Sequence, residues 1–114
     1  MNDEEFSKII HAQVIGEQQI HICNQLNCTD SKSAHEDAWA DVLEALSGLT
    51  PEIKSKIAVF ATQMCVDSVS HVLGILDGTS ILENHRDEFK LTYGKSKKTL
   101  NGDLQTYFLT EREQ

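Results

Sequence analysis

The chain holds a single proline, Pro51, and the uninterrupted run behind it constrains the fold more than any other feature. Thr50-Pro51-Glu52 is a helix start: a threonine N-cap, a proline at the first helical position where its missing N–H costs nothing, and a carboxylate at the positive end of the helix dipole. No further proline interrupts the run to Asp77-Gly78, where Gly78 can take the left-handed stop conformation. Ile53, Ile57, Phe60, Ala61, Met64, Val72, Ile75 and Leu76 form a broad apolar stripe, and Val59, Val66, Val69 and Leu73 lie on other sides. The pattern predicts a long central helix packed on more than one face.

Two helices are expected before it. From Asp3 to Leu26, Phe6, Ile9, Ile10, Val14 and Ile20 fall near one side, Ile15, Ile22 and Leu26 on another, with a bend at Gly16 or burial of both faces. Ser33-Ala-His-Glu36 is a capping-box pattern that opens the second helix. Along it Trp39, Val42, Leu43, Leu46 and Leu49 share one face, and Asp37, Asp41 and Glu44 occupy the opposite one. Behind Gly78 the period changes. Phe89, Leu91 and Tyr93 alternate with Lys90 and Thr92, and Gly94 to Lys97 can form a turn, which predicts a short β-hairpin. Leu104, Tyr107 and Phe108 at helical spacing predict a short final helix capped by Asn101 or Asp103. The expected fold class is mainly α with a small β part (α+β). It has a three-helix core around a long central helix, then a C-terminal hairpin and a final helix, in one domain over residues 1–114.

At 114 residues, with 39% hydrophobic and 25% charged residues, the chain has the composition of a globular domain and needs neither disulfide nor metal to fold. Its net charge of −8 argues against nucleic acid as a partner, since phosphate binding needs clustered Lys and Arg. The charge is lopsided: residues 1–53 hold ten acidic residues against Lys8 and Lys32, whereas residues 54–114 hold eight of each sign. The acidic start lacks the features of a secretory signal, and the apolar stretches are too interrupted by Asp, Ser and His to predict a membrane span. With an odd number of cysteines, Cys23, Cys28 and Cys65, reduced thiols in a cytoplasm are expected.

Three groups of residues bear on chemistry. His21, Cys23, Cys28 and His35 form a ligand set zinc would accept, but at spacings unlike the common zinc frameworks; a cysteine packed in the core with neighbours in a polar loop explains them as well. No metal or cofactor is expected. His71 and Cys65 on the long helix, with His85 and Arg86 in a polar turn-rich run, would make a small enzyme or ligand site if a cleft gathered them. The acidic stripe of Glu36, Asp37, Asp41 and Glu44 has no Lys or Arg at the next turn to relieve its repulsion, so a basic partner would relieve it instead.

Those features point first to a non-catalytic protein-binding module that uses Glu36, Asp37, Asp41 and Glu44 against a basic protein, and second to a self-associating domain such as a homodimer. In the C-terminal half, the run Ser70-His71-Val72-Leu73-Gly74-Ile75-Leu76-Asp77-Gly78, with Phe89-Lys90-Leu91, Leu100-Asn101-Gly102-Asp103-Leu104 and Tyr107-Phe108, resembles small bacterial immunity-type proteins and related uncharacterised ones. The resemblance implies a cytoplasmic inhibitor paired with a basic toxin such as a nuclease. It assigns no role to any single residue.

Overall fold

The long helix begins where its caps place it. The Thr50 hydroxyl accepts the Ile53 N–H at 3.2 Å, and α4 runs from Pro51–Asp77. Its end is a Schellman motif: Gly78, at φ 86°, donates to the Ile75 carbonyl, and Thr79 donates to the Gly74 carbonyl. The other helices of the computed structural model, which describes residues 1–27 and 37–112, are α1 (Asp3–Ile10), α2 (Gly16–Leu26), α3 (Asp37–Ala45) and α5 (Leu104–Arg112). A π-helical turn, His11–Ile15, joins α1 to α2. The Ser33–Glu36 capping box lies outside the described residues.

By internal contacts the chain forms two compact units, Met1–Ile15 with Val66–Gln114, and Gly16–Cys65. In the first, α1 packs on α5. Phe108 and Leu104 are fully buried there, with Ile15, Val66, Leu73 and Leu100 also inside. The Ser7 hydroxyl, itself fully buried, donates to the Leu104 carbonyl at 3.2 Å, and His11 tilts against Phe108 with ring centroids 5.1 Å apart. In the second unit, Ile22, Leu26 and Ala58 form the buried cluster, and Cys23, Trp39, Leu46, Ile57, Ala61 and Cys65 pack around it.

Two expected faces are corrected. Of the side nominated by Phe6, Ile9, Ile10, Val14 and Ile20, only Phe6 and Ile10 are half-buried and Ile9, Val14 and Ile20 are exposed; the other expected side, Ile15, Ile22 and Leu26, is the buried one. On α4 Ala58, Val66, Ser70, Leu73 and Gly74 are buried; of the expected stripe Ile57 and Ala61 pack on the core cluster and Ile75 and Leu76 are half-buried, whereas Ile53, Phe60, Met64 and Val72 are exposed.

The α+β expectation is overturned as well. Among the described residues the regular elements are all helical, with a lone bridge between Leu82 and His85 and neither strand nor sheet. A turn does form at Tyr93–Ser96 with Gly94 at φ 62°, and Leu100 donates to the Leu91 carbonyl at 2.7 Å. The ladder stops there because the Asn101 side chain takes the groups it needs. Its Oδ1 accepts the Leu91 N–H at 2.7 Å, and its Nδ2 donates to the Phe89 carbonyl at 2.8 Å and to the Leu76 carbonyl at the end of α4. One amide thus pins the connecting segment to α4 and stands in for a second strand.

Asn101→Ala removes three hydrogen bonds and is expected to lower unfolding free energy by about 2–4 kcal/mol in a denaturant titration. Asn101→Asp sets a carboxylate against two carbonyl oxygens and should cost at least as much. Losses within about 0.5 kcal/mol for both variants would show that this amide does not organise the segment.

Candidate functional site

Helix α3 offers the sequence-nominated surface. Leu43 is buried and Trp39 and Leu46 are half-buried, so the helix turns this side inward. Trp39 meets the His21 ring edge-on at 5.9 Å, which gives that histidine an aromatic partner. Asp41 and Glu44 are exposed on the outer side, and Val42, assigned by periodicity to the apolar face, is exposed between them. Neither carboxylate has an ion-pair partner among the described residues, whereas Glu4 on α1 is paired with Lys8 at 3.6 Å. Asp37 opens α3, and Glu36 lies outside the described residues. Exposed carboxylates with no ion-pair partner among the described residues suit long-range attraction of a cation.

A second feature, a cavity, has no mark in the sequence. The end of α4 and the segments 80–82, 85–90 and 99–102 enclose about 530 Å³, within the range of small-molecule pockets. His85 and Arg86 line it, with Asp87, Glu88 and Lys90. The turn that presents them closes with the His85 N–H on the Leu82 carbonyl at 2.9 Å, with Asn84 in the left-handed region at φ 60°. Cys65 and His71 do not join them: Cys65 packs against the Ile22, Leu26 and Ala58 cluster, and His71 is exposed on α4. Neither Cys65 nor His71 is among the residues that line the cavity.

The polar groups at the back of this cavity are already in use. Asp77 accepts the Gly102 N–H at 2.6 Å on one oxygen and the Gln105 N–H at 2.8 Å on the other, which makes it the cap of α5. Local spacing nominates Asn101 or Asp103 for that role. Asn101 ties down the connecting segment instead, while Asp103 holds the N-cap position, its carbonyl accepting the Tyr107 N–H, and Asp77 supplies the capping carboxylate. Asp77 is legible in the sequence only as the end of its own helix, because a cap lent across 25 or more residues leaves no local spacing to read. The charged groups around the cavity are of both signs, so it selects no ligand charge.

For the proposed zinc ligands, Cys23 is half-buried in the apolar cluster and His21 is exposed, while Cys28 and His35 lie outside the described residues. Among the described residues no three His, Cys, Asp or Glu side chains come together to hold a metal ion. Helix α4 is long and apolar enough to cross a membrane by length and composition, although 22% of that window is buried in the protein. Compared with known protein families, curated proteins and solved structures, the chain has no significant match.

Asp77→Ala is expected to cost about 1–2 kcal/mol through loss of the α5 cap. Because Asp77 and Asn101 brace the same cavity wall, the double variant with Asn101→Ala should fall short of additivity by about 0.5 kcal/mol or more in a denaturant double-mutant cycle. An additive cycle would mean that the two side chains act independently.

Proposed function

We propose that this chain is a non-catalytic acidic protein-binding module that docks a basic protein on the outer face of α3. The observation that carries the reading is the pair Asp41 and Glu44, exposed one turn apart with no ion-pair partner among the described residues. They lie in the half of the chain that holds ten acidic residues against two lysines. A helix that bears like charges at this spacing gives up a few tenths of a kcal/mol per pair, and a cationic partner returns it on binding. The partner class that fits best is a nuclease-like toxin, whose nucleic-acid surface must be cationic to hold phosphate. The module then works as an immunity-type inhibitor in the cytoplasm, with the carboxylates of α3 taking the place of phosphates.

The variant Asp37→Lys, Asp41→Lys and Glu44→Lys reverses the charge at three positions of α3 and leaves Leu43, Trp39 and Leu46 unchanged. Its helical content and thermal midpoint should stay at those of the parent chain. A basic protein captured on the parent chain from the source lysate is expected to associate about 10- to 1,000-fold more slowly with the variant, and more slowly with the parent as salt rises from about 50 to 300 mM. If the captured protein cleaves nucleic acid, one equivalent of the parent chain should abolish the cleavage. Unchanged association of the variant, or capture of no basic protein, would overturn the reading.

A further inference from the structure

Two chemically labile dipeptides occur once each in this chain, Asn101-Gly102 and Asp77-Gly78. A glycine nitrogen can approach the side chain before it because no Cβ stands in the way. In Asn-Gly that nitrogen, once it has given up its proton, attacks the side-chain Cγ. A C–N bond forms, the side-chain nitrogen departs as ammonia, and the succinimide left behind takes up water at either carbonyl to give aspartate or isoaspartate. The reaction needs only water.

The fold sets the two dipeptides against each other. The Gly102 N–H, whose nitrogen would be the nucleophile, donates to the Asp77 carboxylate at 2.6 Å, so loss of its proton would bring two negative charges together. The group under attack is held as firmly. Asn101 Oδ1 accepts the Leu91 N–H, and the Nδ2 that would depart donates to the Leu76 and Phe89 carbonyls. Asn101 is half-buried and Gly102 is exposed, so water reaches the pair and its protection rests on these hydrogen bonds. They hold a segment with little else to fix it: residues 81–90 are exposed throughout and include neither helix nor strand.

We propose that Asn101 is a deamidation site gated by release of the segment 89–102 from the end of α4, and that the reaction makes the release irreversible. Release frees the Asn101 amide and the Gly102 N–H together. Gly78 still donates to the Ile75 carbonyl within the end of α4, so conversion falls on Asn101 and not on Asp77. The product does not close again in the same way. Aspartate sets a carboxylate against the Leu76 and Phe89 carbonyls, which lose their donor, and isoaspartate also adds a methylene to the backbone. The wall of the cavity at the end of α4 is then lost for good, and its lifetime follows from how often the segment opens.

Incubation of the full chain in neutral buffer at physiological temperature, with peptide mass spectrometry at every asparagine, tests the proposal. Deamidation is slow against opening and reclosing, so its rate follows the open population. The folded chain is expected to convert at Asn101 at least about tenfold more slowly than the same chain in denaturing urea, where Asn101 should react ahead of Asn2, Asn24, Asn27 and Asn84. Asp77→Ala keeps Asn101 and Gly102 and should raise the native rate about 5- to 30-fold. Should that variant unfold, urea below the unfolding transition opens the segment in the parent chain and should raise the rate likewise. Chain converted at Asn101 should share the lowered denaturation midpoint of Asn101→Asp and be cut faster by trypsin at Arg86 and Lys90. Equal rates in the folded and unfolded chain, a rate unmoved by Asp77→Ala and by mild urea, or converted chain with the parent's midpoint and trypsin resistance would overturn the proposal. None of these readouts involves Asp37, Asp41 or Glu44.

Discussion

The Gln105 side chain, which reaches from α5 onto α4, is the interaction on which this end of the first unit depends. Gln105 of α5 donates to both the carbonyl and the hydroxyl of Ser70 at 3.0 and 3.1 Å, and it accepts from the Thr79 hydroxyl at 3.1 Å. A Cβ at Gly74 would stand only 2.9 Å from the Gln105 amide nitrogen. Ser70 and Gly74 leave room on α4 for the Gln105 side chain, and Val66 and Leu73 on the same helix are buried beside them. The larger residues Phe60, Met64 and Val72 are left outside on the same helix.

The same logic explains which features can be read from the residues. Thr50 and Pro51 start α4, and Gly78 ends it, through bonds that span three to five residues, so the signal lies within the segment itself. The outward placement of Asp41 and Glu44 comes from helical period once Leu43 faces in. The faces of α1, α2 and α4 are only partly legible. Ile15, Ile22 and Leu26 form a readable side, but nothing local says that it outranks Ile9, Val14 and Ile20, and α4 carries apolar residues on nearly all sides, so its periodicity does not select the faces that pack. The alternation of Phe89, Leu91 and Tyr93 favours a strand, and the Asn101 amide takes the backbone groups that a strand would have used. That competition between a side chain and a ladder joins residues ten and twelve apart and is invisible to local pattern.

The acidic side of α3 and the cavity at the end of α4 offer a ligand different forces. Asp41 and Glu44 are exposed with no ion-pair partner among the described residues, and charges so placed act at long range and mainly on the rate of encounter. In the cavity, Asp77 and Asn101 already spend their polar atoms on Gly102, Gln105, Leu91, Phe89 and Leu76, so the side chains left to meet a ligand are those of the 85–90 segment, His85 and Arg86 among them. Groups so placed act at contact and set specificity more than encounter rate.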